Sequence, residues 1–356
     1  MKVCFLSYSN CTHALHWAEL LWKQGVEVHY LSFEETRAFE GVHFHHIRPL
    51  CPQLYLKFIL NRGKIKKILD EINPDIVHGF YLTNYAFLAT LSGFKRVVVT
   101  VQGSDLFLEP RKSAFFTWVN RYVLNHASLV HSVANHMTTR LMAYGLPREK
   151  IIIFPEGVDR KIFKSNSNLN RNRARERKRI ISTRNFEPVY NLGVLIEAIP
   201  YVLEKSSQVQ FTLIGDGPER ETLIQKAKTI GVDDYIEFPG RISRCEVSDH
   251  LSSSDIYVTT SISDGTSASL LEAMSCGVFP VVSDIPANRE WIEDGVTGLL
   301  FPMDDPLKLA EAIQRALEDR SLREAGIDRN KDIIINRADV TQIIQELIHS
   351  YERLAV

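Results

Sequence analysis

The stretch Ser261-Ile-Ser-Asp264-Gly265-Thr266-Ser267-Ala268-Ser-Leu-Leu-Glu272 sets two carboxylates around a Gly-Thr-Ser turn. A strand ending near Thr260 and a helix beginning within Thr266–Ser269 would leave backbone N–H groups unpaired at the helix start. Together with the positive end of the helix dipole, such groups make a natural seat for a diphosphate. Gly265 would let a ligand approach the backbone closely, and Glu272, a turn or two into the helix, can accept from ribose hydroxyls. Ser269-x-x-Glu272 also has the spacing of a capping box, in which Glu272 serves only a backbone donor. Spacing alone leaves both readings open.

Positioning such a turn requires strands that end together, and the sequence supplies them. Short β-branched runs alternate with helical periodicities from end to end, the pattern of parallel sheets covered by helices. Strands are expected at Val3–Ser7, Val26–Leu31, Ile76–Phe80, Val97–Val101, Leu129–Val133 and Ile151–Phe154, with helices near 54–71, 84–92, 113–126 and 135–144. The alternation restarts with strands near 180–183, 210–214, 235–238, 256–259, 279–283 and 298–301, and helices near 192–204, 219–229, 267–275, 307–318 and 338–353. Between them, Asn166 to Arg179 is rich in asparagine and arginine and too polar to bury a face. The expected organisation is therefore an α/β domain at 1–163, a linker or exposed loop at 164–179, a second α/β domain at 180–337, and a last helix at 338–356 that packs on either one. Two doubly wound domains facing each other would leave a cleft at the carboxyl ends of their strands.

Composition excludes several classes. With 45% hydrophobic and 24% charged residues among 356, the chain is an ordinary globular protein, long enough for two cores. Residues 1–155 hold 17 Lys/Arg against 11 Asp/Glu, and the remainder 25 against 32. The basic first half could meet an anionic lipid surface peripherally, and the arginine run lacks the interleaved aromatics of a nucleic-acid arm. Five scattered cysteines, with no C-x-x-C pair, argue against disulfides or zinc fingers and fit a reducing cytoplasm. No apolar run reaches the roughly 18 residues of a membrane span, and the first residues lack a signal-peptide core. The His43-Phe-His45-His46 cluster has metal-binding residue types, but alternation on an edge strand explains it and no metal is expected.

The motif Asp264, seven residues, Glu272-Ala273-Met274, then Gly277, Pro280, Val281 and Val282 resembles that of glycosyltransferase family 4, retaining enzymes with the GT-B fold. The Pro-Val-Val element arrives one residue late, because Val278-Phe279 replaces a single residue. Pro155-Glu-Gly-Val-Asp159 with Phe163, Gly215-Asp-Gly-Pro218, Phe238-Pro-Gly240, Asp255-Ile-Tyr-Val258 and Asp294-Gly-Val-Thr-Gly-Leu-Leu-Phe301 are similar to further landmarks in order and spacing.

The resemblance implies a nucleotide-sugar donor, UDP-linked by preference, bound without metal by Arg184, Gly240, Arg241, Ile242, Gly265, Thr266, Ser267, Ala268 and Glu272. It implies a catalytic role for Asp264 beside the donor sugar and for Gln102 and Asp105 in Thr100-Val-Gln-Gly-Ser-Asp105. Glutamine stands where histidine is usual, so it can hydrogen-bond a sugar hydroxyl but cannot take a proton near neutral pH. Asp105 has the alternative of capping the following turn. Asn10, Cys11 and His13 would line the acceptor edge. Where the family usually has lysine five residues after Arg184, this chain has Val189 or Tyr190, so a phosphate contact is missing or comes from elsewhere, such as Lys178 or Arg241.

Retaining transfer to a hydroxyl of a glycan, lipid or small molecule follows from the resemblance. The sequence holds no Asp-x-Asp triplet with which to bind a metal at the diphosphate. Two rival readings remain: a catalytically impaired nucleotide-sugar-binding protein on the same fold, and a nucleotide-sugar epimerase. A dinucleotide-dependent oxidoreductase is disfavoured, since no strand is followed by Gly-x-Gly-x-x-Gly.

Overall fold

A β-branched run that is apolar on both faces can bury them only as a central strand of a sheet covered on both sides. Val97–Val101, buried at all five positions, is such a run. The computed structural model describes residues 1–35, 40–51, 55–165 and 177–355. In it the first sheet comprises β1 (Lys2–Leu6), β2 (Glu27–Ser32), β3 (Val42–His46), β4 (Ile76–Phe80), β5 (Val97–Val101), β6 (Leu129–Ser132) and β7 (Ile151–Ile153). Their order is β3-β2-β1-β4-β5-β6-β7, and every pairing is parallel. The second sheet comprises β8 (Lys178–Ser182), β9 (Val209–Ile214), β10 (Ile236–Gly240), β11 (Ile256–Thr259), β12 (Phe279–Ser283) and β13 (Leu299–Phe301), ordered β10-β9-β8-β11-β12-β13 and again parallel. Both are doubly wound.

The chain divides into one unit of Met1–Glu156 with Thr341–Val356 and another of Gly157–Val340. The division falls at Glu156 rather than 163 because Val158 and Phe163 are buried in a core of the second unit, where Val158 N donates to Ala338 O at 2.7 Å. Residues 166–176 of the expected linker, with most of its asparagines and arginines, lie outside the described residues.

A helix at Arg320–Arg337 was not expected. Its buried positions are Arg323, Gly326, Ile327, Asn330 and Ile334, a helical stripe written partly in polar residues. Arg323 donates to the carbonyls of Ala316 and Leu317, closing the end of the helix before it, and Asn330 donates to Thr297 O at 2.7 Å. Gly326 is required there, since a Cβ would stand 2.8 Å from the Phe279 ring.

In the first unit, a chain of buried polar groups ties the last helix (Val340–Ala355) to the sheet. Phe154 O can only accept, so His131 Nε2 donates to it at 2.8 Å and leaves His131 Nδ1 as an acceptor. Thr100 then donates to His131 Nδ1 (3.1 Å), His78 Nε2 donates to Thr100 Oγ1 (2.7 Å), and Tyr351 donates to His78 Nδ1 (2.5 Å). Every donor in this chain has an acceptor, and both imidazoles are neutral. Trp17 covers it, with ring centroids 5.3 Å from His131 and 6.0 Å from Phe80.

Burial pushes the His131 imidazole down to about 4, and burial together with the nearby His131 holds His78 well below its ordinary value. A histidine depressed in this way contributes fully only above its unfolded value near 6.5, and that contribution is lost as pH falls toward the folded value. Asp105, pushed up to about 6 by burial, acts in the opposite sense. Between pH 7 and 5, His131 alone accounts for a loss of about 2 kcal/mol, Asp105 returns roughly 1 kcal/mol, and His78 deepens the loss. The urea midpoint should therefore fall over that range; a midpoint that holds or rises would contradict neutral buried imidazoles.

Candidate functional site

In the second sheet the chain leaves β8 toward β9 on one side and leaves β11 toward β12 on the other. The loops diverge at such a switch point and open a crevice at the carboxyl ends of the strands. Arg184 follows β8, and Asp264 to Ser269 follow β11, so the topology brings them together. Arg184 is 6% exposed. Its Nη2 donates to Asp264 Oδ2 at 2.7 Å, and its Nη1 donates to Ser267 Oγ at 2.8 Å and Ser269 Oγ at 3.1 Å. Tyr257 Oη lies 2.7 Å from the same Ser269 hydroxyl. Burial opposes the charge on Arg184, but Asp264, Tyr190 and Tyr257 together outweigh it and favour the cation. Arg184 Nε and the hydroxyls of Ser182 and Thr183 are buried with no hydrogen-bond partner among the described residues. Three such groups in succession at the end of one strand are unusual in a folded interior.

Two departures from the family pattern meet in this cluster. Tyr190, one of the two residues, with Val189, that stand where the resemblance leads to lysine, stacks on Arg184 with its centroid 3.7 Å from the guanidinium carbon. A second cation at that distance would oppose Arg184, whereas the ring face attracts it. Asp264, one methylene shorter than glutamate, is held against the guanidinium rather than extended beyond it. Gly215 and Gly217, at φ 154° and 156°, allow the loop after β9 to approach this one. A Cβ at Gly215 would stand 2.4 Å from Arg184 O, and one at Gly217 2.5 Å from Phe186 O.

The helix after the turn runs Ala268–Ser275 and is capped by Ser267, whose Oγ accepts from Leu270 N at 3.3 Å. Ser269 lies inside the helix and is not its cap, which removes the capping-box account of Glu272. Glu272 is half-buried, four residues beyond Ala268. Gly265 is buried, with its N–H donating to Asp264 Oδ1 at 2.9 Å, and Thr266 and Ala268 are half-buried. Gly240 ends the edge strand β10 and accepts from Gly215 N at 3.1 Å; Arg241 is exposed, and Ile242 packs on the core under the helix. Lys178 begins β8 and reaches Asp255 at 3.4 Å, at the amino end of the sheet. Since the switch-point loops leave the opposite end, Lys178 cannot replace the missing phosphate contact.

The first unit gathers its own candidates at strand ends. Asn10 is exposed, Cys11 precedes the helix Thr12–Lys23, and burial pushes the Cys11 thiol up, away from the reactive thiolate. His13, on that helix, meets Glu156 at 3.0 Å, and Gln102 Nε2 donates to the other oxygen of Glu156 at 2.8 Å. Trp17 Nε1 donates to Glu156 O at 2.8 Å and fixes its backbone. Burial disfavours the Glu156 carboxylate, but His13, Gln102 and His131 outweigh it and hold the group below its usual range. Glu156 was quoted in the sequence only as part of Pro155-Glu-Gly; no local signal reveals partners 143 and 54 positions away.

Asp105 sits inside the turn that carries Gln102. It is fully buried, with Oδ2 accepting from Leu82 N at 2.9 Å and Oδ1 from Gln102 N at 3.1 Å and Gly103 N at 2.9 Å. It is therefore a positioning residue that shapes the Gln102 turn, and Gly103, at φ 111°, completes that turn.

A model of the glycosyl transferases group 1 matches residues 165–332, and a glycosyl transferase 4-like model matches residues 2–134. The N-acetyl-alpha-D-glucosaminyl L-malate synthase of Bacillus anthracis is 21% identical over 92% of this chain and 89% of its own. A phosphatidyl-myo-inositol mannosyltransferase of Mycobacterium leprae is 29% identical over 48% of this chain, which spans 44% of that protein. Among solved structures, sucrose-phosphate synthase of Thermosynechococcus elongatus superposes with a TM-score of 0.85 at 16% identity, covering 99% of both chains. HepE of Anabaena, solved with UDP and glucose, gives 0.82 at 19% identity over 99% of this chain and 100% of its own. These likenesses establish the GT-B type of fold. With both halves matched by their respective models, the chain belongs to the group 1, family 4-like glycosyltransferases.

Proposed function

We propose that the protein is a retaining glycosyltransferase that binds a UDP-sugar at the carboxyl ends of β8 and β11 and passes the sugar to a hydroxyl acceptor. The observation that carries this reading is the Arg184 cluster at the switch point, with unpartnered Ser182, Thr183 and Arg184 Nε beside the start of a helix. Arg184 and the Ser267 helix start would supply the charge that a leaving diphosphate needs, already oriented before reaction. Glu272 would hold the ribose, and Asp264, released from Arg184 as phosphate arrives, would lie by the sugar. Attack on the face from which the diphosphate leaves gives retention without a protein nucleophile. The UDP of the Anabaena structure supports the choice of base.

Acceptor choice belongs to the first unit, where Gln102 and His13 share Glu156. The exposed side chains Phe115 and Trp118, near Arg111, Lys112 and Arg121 in sequence, support an acceptor presented at an anionic membrane surface.

A thermal-shift survey with UDP-, GDP- and ADP-sugars, followed by product analysis with and without anionic vesicles, tests the proposal. Selective stabilisation by UDP-sugars and transfer without chelatable metal are expected. Glu272→Ala should weaken donor binding about 10- to 100-fold, as loss of charged hydrogen bonds to hydroxyls would. Asp105→Ala should instead lower the melting temperature. Donor binding with neither hydrolysis nor transfer across plausible acceptors would favour the impaired binding protein, and a new sugar isomer formed without acceptor would favour the epimerase.

A further inference from the structure

Three imidazoles and a carboxylate share one face at the edge of the first sheet. His29 and His43 are register partners on the parallel strands β2 and β3. Glu27 and His45 stand two residues away from them on the same side, because side chains alternate along a strand. The rings pile up: His29 stacks on His43 at 4.9 Å and 29°, and on His45 at 5.2 Å and 20°. His29 Nε2 faces Glu27 Oε1 at 3.0 Å, and His29 Nδ1 faces His45 Nε2 at 2.9 Å. One donor atom each from Glu27, His29 and His43 lies within 4.8 Å of the others.

We propose that Glu27, His29 and His43 bind one zinc ion, clasping the edge strand β3 to β2. Ligands about 2.1 Å from a tetrahedral zinc stand roughly 3.4 Å apart, so the set closes with side-chain movements on the order of 1 Å. Glu27 and His43 are exposed and free of core packing, which permits that movement. In the donor set His2Glu, two neutral nitrogens and one anion suit a borderline dication, whereas calcium and magnesium require oxygen. When zinc takes the place of the proton on His29 Nε2, that proton moves to His29 Nδ1 and is donated to His45 Nε2, while His45 shifts its own proton to Nδ1. A hydrogen bond of this kind on the far nitrogen orients a metal-bound imidazole.

The residues lie toward the amino ends of β2 and β3, opposite the strand ends that carry Gln102 and Glu156. Zinc would accordingly act on stability and not on transfer. The alternation along Val42–His46, read from the sequence as an edge strand without metal, did not reveal that His29 and Glu27 complete the set.

Untagged chain, stripped with chelator and titrated with zinc by calorimetry and thermal unfolding, provides the test. One zinc per chain and a melting temperature raised by zinc but not by magnesium or calcium are expected. His43→Ala and Glu27→Gln should each weaken binding at least 10-fold while keeping the far-ultraviolet spectrum. His46→Ala, on the other face of β3 where His46 meets Phe33 O at 3.2 Å, should leave binding unchanged. No binding at tens of micromolar zinc, or binding that survives both His43→Ala and Glu27→Gln, overturns the proposal. Glu27→Gln keeps the test independent of any refolding caused by loss of an imidazole.

Discussion

Replacing Arg184 with lysine is expected to lower kcat/KM for sugar transfer by about 100- to 1,000-fold in a chain that still folds, the range found when one preorganised donor to developing negative charge is removed. The expectation follows from geometry more than charge. The guanidinium reaches Asp264, Ser267 and Ser269 at once while its face rests on Tyr190. A lysine ammonium carries the same charge on one atom and cannot span that set. Arg184→Ala is the harsher change, because it leaves Asp264, whose side chain is 14% exposed, without its counter-ion. Removing one partner of a buried pair costs about 3–5 kcal/mol, so Arg184→Ala combines lost stability with lost activity and Arg184→Lys separates them. The readouts are initial rates of UDP release and of product, with melting temperature alongside. Transfer within threefold of wild type in Arg184→Lys would remove Arg184 from the diphosphate and leave it a structural tie between two loops.

The sheets and the switch point were legible in the sequence because parallel strands buried on both faces write themselves as short β-branched runs, Val97–Val101 being the plainest. The helix Arg320–Arg337 was not, because Arg323, Gly326 and Asn330 occupy three of its buried positions and erase the apolar periodicity. In the site, Arg184, Asp264 and Ser267 were each legible as candidates, but not that they bind one another, since 80 positions separate Arg184 from Asp264. The absent lysine looked like a missing contact; beside that position Tyr190 lays its ring on Arg184 and holds it in place. Lys178 was misjudged for a readable reason. It begins its strand, and a residue at the amino end of a parallel strand cannot face loops that leave the carboxyl end.

Glu156 leads to the second large effect. Its two carboxylate oxygens connect His13, after β1, with Gln102, after β5, and its own position follows β7, so one side chain sets the spacing of three strand ends. Glu156→Ala is expected to reduce the ratio of transfer to donor hydrolysis at least 10-fold, while donor affinity stays within threefold, because the donor candidates belong to the other unit. Glu156→Gln keeps the shape and one hydrogen bond, with its amide oxygen accepting from Gln102, but loses the anion opposite His13; it should recover part of the ratio. If the three residues act as one device, His13→Ala combined with Glu156→Ala will do no more harm than the worse single change, since coupled positions are not additive. A purely structural Glu156 would instead lower stability and leave the partition between acceptor and water untouched. Additive losses, or an equal effect on donor affinity, would therefore return acceptor positioning to Gln102 alone.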